Sequence, residues 1–441
     1  MMVHRKLTFL WFLMGLGSRL QVVASLSITE LLVLIAAPFI FIKDYHQMRR
    51  DGVMPFFILS LMVVFGCLVA SLANHTHSQY VLRGLAVTCL VACSIVFSHW
   101  ILRRDPNGFK WFVLAIPISA ILSTFVFRAS VEVTSFGDSV EEIMSGPLYW
   151  ISRVSPLVLA PTKGWYLHMP WFVNVFSPLF VAGFAIMSSV SGRSAALSAV
   201  GFVVLVIIGG KTQRTMSRVS RHFMKLVVMG VISIGLAYSA YKVSAIQGWL
   251  GEDARRKYEM QTHGGEGGIG RLILGGRGDS FIGLLACRDK PIIGWGPWAI
   301  DENGYTEEFM ARFGTMEDYD ALIKSMAFRA QYGITVNLLR CHSYITEFWA
   351  WYGIWGLVFW LYVVFVLLRY LKKDVAFVPQ WYAWLACSIP GMFWGIFFSP
   401  FQDRFGCSLF VVACLMARAV RKGTFVLPLE MRDEVVAVER K

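Results

Sequence analysis

Charge is scarce in this sequence. Only 16% of its 441 residues are Asp, Glu, Lys or Arg, against about 25% in an average soluble fold, while 56% are hydrophobic and the mean hydropathy is +0.58. A water-soluble domain of this size needs far more polar surface, so the composition excludes disorder and a secreted disulfide scaffold. It also argues against nucleic-acid binding despite a formal charge of +13. Cysteine is sparse, and six of the eight (Cys67, Cys89, Cys93, Cys387, Cys407, Cys414) fall in apolar runs, where a thiol acts as a small hydrophobe and says little about redox. No small-residue cleavage site follows the first apolar run, so that run reads as a retained span. There is no internal repeat, no low-complexity tract, and no Lys-Ser/Thr pair after the glycine run Gly264–Gly270, which therefore matches neither a Walker loop nor a dinucleotide fingerprint.

What is present is a series of long apolar runs separated by basic stretches, the mark of an all-α polytopic membrane protein. Eleven runs have the length of a crossing: 8–25, 28–43, 53–73, 80–102, 109–128, 171–190, 194–210, 224–243, 345–368, 381–398 and 404–420. Lys43 to Arg50, Arg103 to Lys110, Lys211 to Lys225, Arg369 to Lys373 and Arg418 to Lys422 hold a large share of the basic residues and read as cytoplasmic. Both termini then lie inside, which demands an even number of crossings. An extra crossing within 146–164 restores parity and keeps Lys211–Lys225 inside, giving about twelve helices. The expected organisation is an N-terminal membrane bundle of about nine spans over 1–243, a large periplasmic loop over 244–343 between spans 9 and 10, about three C-terminal spans over 344–420, and a cytoplasmic tail over 421–441. Within the loop, Thr306–Phe313 and Glu317–Tyr332 have helical spacing.

Three external motifs carry ionisable groups near a membrane boundary: Ser191-Gly192-Arg193-Ser194-Ala195, Gly275-Gly276-Arg277-Gly278-Asp279-Ser280-Phe281, and His342-Ser343-Tyr344-Ile345-Thr346-Glu347. Two readings stand open for Arg193, a functional cation facing a cavity or a side chain snorkelling to headgroups. The Pro-bounded segment Pro291-Ile292-Ile293-Gly294-Trp295-Gly296-Pro297 reads first as a tight turn in which Gly294 and Gly296 take positive φ. Gly353 and Gly356 would let another helix approach closely. His342 opens the apolar run 345–368 as either a structural or a catalytic residue, with the membrane-costly carboxylate of Glu347 little more than one turn below.

In this order, Ser-Gly-Arg, a basic inner loop, a large external loop with Gly-Arg and then Pro-Ile-Ile-Gly-Trp-Gly, and His342 followed eleven positions later by Gly353, the chain resembles the O-antigen ligase and polysaccharide polymerase superfamily over residues 165–370. The resemblance implies a GT-C-type glycosyltransferase of the bacterial inner membrane. Such an enzyme takes a glycan from an undecaprenyl-pyrophosphate carrier at the periplasmic face and joins it to an acceptor hydroxyl in lipopolysaccharide or exopolysaccharide synthesis, inverting and metal-independent. It implies pyrophosphate-binding roles for Arg193 and Arg277, with Arg271 as an alternative to Arg277, since a guanidinium grips phosphate bidentately and stays charged. His342 matches the base that removes the acceptor proton. Glu347 either orients or shares that base, or is a packing carboxylate. No cofactor is implied, and the partners are the carrier-linked donor, a saccharide or lipid-saccharide acceptor and the bilayer. Asp318-Tyr319-Asp320 resembles an Asp-x-Asp metal site but sits among charges like a solvated helix face. Cys287 and Cys341, the only cysteines in the external loop, are free to pair in an oxidising periplasm. The rival function is a transporter or flippase of lipid-linked saccharides. Against it stand one long loop and no symmetry between halves.

Overall fold

The computed structural model describes residues 2–17, 21–23, 26–106, 242–249, 269–313, 341–374, 378–399 and 404–427, with isolated positions between them. The described chain is mostly helical: α1 (Met2–Gly17), α2 (Ile28–Asp51), α3 (Met54–Ala73), α4 (Ser78–Arg104), α5 (Ile269–Asp289), α6 (Tyr305–Phe313), α7 (Tyr344–Tyr352), α8 (Ile354–Arg369, continued by a π turn over Tyr370–Asp374), α9 (Pro379–Phe398) and α10 (Arg404–Arg421). Met54–Ala73, Ser78–Arg104 and Ile354–Asp374 are long and apolar enough to cross a membrane. The expected runs 28–43, 53–73, 80–102, 381–398 and 404–420 each fall on one helix. Those at 171–190, 194–210 and 224–243, the extra crossing within 146–164, and most of 109–128 lie outside the described residues, as do Arg193, Asp318 and Asp320.

Two runs differ from expectation. The first, 8–25, stays helical only to Gly17, and the chain then forms a short antiparallel hairpin, Gln21–Val23 (β1) with Leu26–Ser27 (β2). The hairpin feeds into a strong helix start. Ser27 Oγ accepts from the Glu30 amide, and the Glu30 carboxylate accepts from the Ser27 amide, so the two residues satisfy each other's backbone donors and open α2 at Ile28. The run 345–368 is two helices. Gly353, at φ 64 and ψ −148, breaks it, so the crossing begins at Ile354 and α7 lies before it.

Short connections at Gly52-Val53 and over 74–77 reverse the chain twice, so α2 and α4 run in the same direction with their C-terminal ends joined through Asp51 and Asp44, and α4 packs against α2, α3 and α10. The bundle has two chemically distinct ends. One gathers Arg49, Arg50, Arg103, Arg104, Arg369, Lys372, Lys373 and Arg421. There Arg50 donates to the Thr424 carbonyl (2.9 Å), Arg104 pairs with Asp44 (2.7 Å), Arg421 pairs with Asp374, and the buried Asp51 holds both Arg103 and His99. At the other end Arg404, opening α10, pairs with Glu30 (3.2 Å), and the Asn74 amide donates to the Gly294 carbonyl (3.0 Å). Four of the five basic stretches therefore close at one end.

Candidate functional site

The second end carries His342, and the residues on either side of it are fixed by two different helices. Ser343, fully buried, caps α7 by accepting from the Thr346 amide (3.3 Å) and donates its hydroxyl to the Ile396 carbonyl in α9 (2.9 Å). On the other side lies α5. Ser280 donates its hydroxyl to the His342 carbonyl (3.1 Å), Cys341 packs against Gly283, and the Cys287 thiol donates weakly to the Thr346 carbonyl (3.9 Å). Positions 280, 283 and 287 recur at helical spacing, so one stripe of α5 grips the entire 341–346 segment. A β-carbon on Gly283 would come within 2.9 Å of the Cys341 sulfur and 3.3 Å of the Thr346 β-carbon, which is why this stripe carries glycine at its centre.

The imidazole itself meets Asp279, whose carboxylate lies 2.9 Å from Nδ1. The His342 side chain is 47% exposed and that of Asp279 is 29% exposed. In the sequence this carboxylate stands in Gly-Arg-Gly-Asp-Ser, with no partner in reach along the chain. The available signal was its place on a helix beside Ser280, and that helix was hidden by its own glycines.

Glu347 is placed elsewhere. Its carboxylate is buried and accepts the Phe401 amide (3.2 Å), with Arg404 nearby. Burial pushes the carboxyl up from 4.5 to about 8, against the opposing pull of the Phe401 N–H and the Arg404 charge. Different partners thus divide the two acids, Asp279 meeting the imidazole and Glu347 the backbone amide of Phe401. The description of α5 covers its backbone throughout and its side chains from Gly278 onward. On that backbone Arg277 precedes Asp279 by two residues, about 3 Å of helical rise, and Arg271 by eight, about 12 Å. Of the two, Arg277 starts much nearer to His342.

Gly294, Gly296 and Gly353 come together. Gly294 and Gly296 take positive φ (80 and 86), and the loop docks on the end of α7, where the Trp295 amide donates to the Ala350 carbonyl (2.7 Å) and the Gly296 amide to that of Trp351 (3.0 Å). The Ile354 amide donates back to the Ile292 carbonyl (3.0 Å), and a β-carbon on Gly353 would overlap that same carbonyl. The loop after α5 and the break before α8 therefore form one joint. Cys287 and Cys341 are both free and buried, so the bridge that the periplasmic reading allows is not formed here. Burial raises both thiols, Cys287 to about 12. Among the described residues no three or more His, Cys, Asp or Glu side chains gather as a metal site would.

Chemically, the arrangement offers a half-exposed imidazole on a rigid support, backed by a carboxylate. Beside it lies a helix bearing Arg271, Arg277 and Arg288, at the end of the bundle opposite its main basic cluster. No family model, curated protein or solved structure matches the chain.

Proposed function

We propose that the protein is a membrane glycosyltransferase of the bacterial inner membrane. In this reading it moves a glycan from an undecaprenyl-pyrophosphate carrier to an acceptor hydroxyl at the periplasmic face, as an O-antigen ligase or a polysaccharide polymerase does. The observation that carries it is the clamping of His342 between α5 and α9, with its side chain still half exposed, at the end of the bundle remote from the main basic cluster. If that cluster is cytoplasmic, the imidazole faces the periplasm.

The chemistry needs three things at one point: a base for the acceptor proton, cations for a leaving pyrophosphate, and access from the outer leaflet. His342 serves as the base. As the acceptor oxygen bonds to the anomeric carbon, its proton passes to the imidazole and the bond from that carbon to the pyrophosphate breaks, inverting the centre. The leaving diphosphate gathers negative charge that fixed guanidinium groups offset. Arg277 and Arg193 are the residues for this role, and Arg271 is the more distant substitute. Glu347, buried on the Phe401 amide, fits a supporting rather than a proton-accepting role.

The test uses purified protein with an undecaprenyl-pyrophosphate-linked oligosaccharide, offered lipid A core in one reaction and only further donor in the other. We expect a new glycosidic bond and released undecaprenyl pyrophosphate in one of the two, reduced at least about a hundredfold in His342→Ala. Undiminished transfer by that variant removes His342 from the mechanism. Movement of the donor across proteoliposome bilayers without any transfer favours the transporter reading.

A further inference from the structure

We propose that Asp279 is the positioning residue of His342, fixing its tautomer so that Nε2 is the atom that takes the acceptor proton. This rests on the transferase reading above, and deepens it by naming the reacting atom and the residue that selects it.

The argument begins with what a carboxylate can do. It only accepts hydrogen bonds, so at 2.9 Å from Nδ1 it requires a proton on that nitrogen. A neutral imidazole has one N–H, and with that proton on Nδ1 the lone pair must lie on Nε2. Asp279 is the polar partner of the ring among the described residues, and nearly half of the His342 side chain is exposed, which leaves the imidazole reachable by an acceptor. An imidazole in the other tautomer would bring an unprotonated Nδ1 against a carboxylate and present N–H outward, where it cannot accept a proton.

Orientation is fixed along with tautomer. Ser280, the next residue on α5, holds the His342 carbonyl, and Gly283, one turn on, receives Cys341. Ser343 is locked from the opposite side by the Ile396 carbonyl. The backbone thus has no freedom to swing the ring away, and Asp279 sets the remaining side-chain rotation. Glu347 does not compete for this role. It lies inside α7, whereas His342 precedes the cap of that helix, and its carboxylate is on the Phe401 amide. Because the pair is partly exposed, solvent screens the charge of Asp279. Its chief effect is therefore geometric, with a secondary one as the ring becomes imidazolium during transfer.

The experiment compares wild type, Asp279→Asn, Asp279→Glu and His342→Gln, each checked for an unchanged melting temperature, with the undecaprenyl-pyrophosphate-linked oligosaccharide as donor. In Asp279→Asn the carboxamide can offer N–H to Nδ1 and so favours the wrong tautomer. We expect kcat to fall by at least about tenfold with KM within about threefold, and Asp279→Glu to recover part of the loss. Nitrogen-15 spectra of histidine-labelled protein, with His342→Gln identifying the resonance, read the tautomer independently of turnover. The expectation is protonated Nδ1 in wild type and a shift toward protonated Nε2 in Asp279→Asn. Protonated Nε2 in wild type overturns the proposal, as does Asp279→Asn turning over within twofold of wild type while His342→Gln is inactive. Full activity in His342→Gln instead overturns the underlying assignment of the base, whatever the spectra show.

Discussion

Replacing Glu347 by Gln should remove a specific part of the protein's pH dependence. In the unfolded chain this carboxyl ionises near 4.5, whereas in the folded protein burial holds it protonated up to about 8. The folded state therefore binds more protons between these values, and stability must fall as pH rises through them. Below the unfolded value both states are protonated and the group contributes nothing. Above the folded value the full cost of a buried charge is present. One pKa unit corresponds to about 1.4 kcal/mol, so the span between the two values sets a ceiling of about 5 kcal/mol. Gln keeps an oxygen for the Phe401 N–H and does not titrate. The assay is thermal unfolding in detergent at intervals from pH 5 to pH 8. Wild type should lose stability across the range more steeply than Glu347→Gln, with the two curves diverging toward high pH. Parallel curves would show that the carboxyl is not protonated in the folded state near neutrality and would refute the reasoning.

Other expectations are as direct. Gly353→Ala forces a β-carbon into the Ile292 carbonyl and into a backbone region reserved for glycine, so it should cost about 3 kcal/mol, read as lowered thermal stability. Gly283→Leu wedges α5 away from Cys341 and Thr346, and sugar transfer should drop by more than about tenfold while the melting temperature moves little, since the α2–α4 core is untouched. At the basic end, His99→Leu leaves the buried Asp51 with Arg103 as its remaining partner and should destabilise by about 3 kcal/mol in a thermal melt. Alkylation of unfolded protein without reductant should modify all eight cysteines; six, two fewer, would show that Cys287 and Cys341 bridge in the membrane.

The long apolar runs were legible because hydropathy alone sets their length, and α3 and α4 fall within two residues of their expected ends. Gly294 and Gly296 were legible as positive-φ turn residues because Pro291 and Pro297 bound them. Three features needed tertiary information. The break at Gly353 sits inside an unbroken apolar run, and the Ile292 carbonyl presses against it from sixty-one residues away. Helix α5 contains Gly270, Gly275, Gly276 and Gly278, which read locally as loop, yet Gly278 and Gly283 are where Phe309 and Cys341 come closest. Asp279 had no visible partner, because its pairing with His342 spans sixty-three positions.

His342 is held from before by α5 and from behind by the carbonyl of Ile396. During synthesis the imidazole therefore leaves the ribosome more than fifty residues ahead of its last anchor. The proposed site can mature only after α9 has folded back onto this segment. A chain arrested before that point would carry every residue of the proposed active site and still lack the assembled proton acceptor.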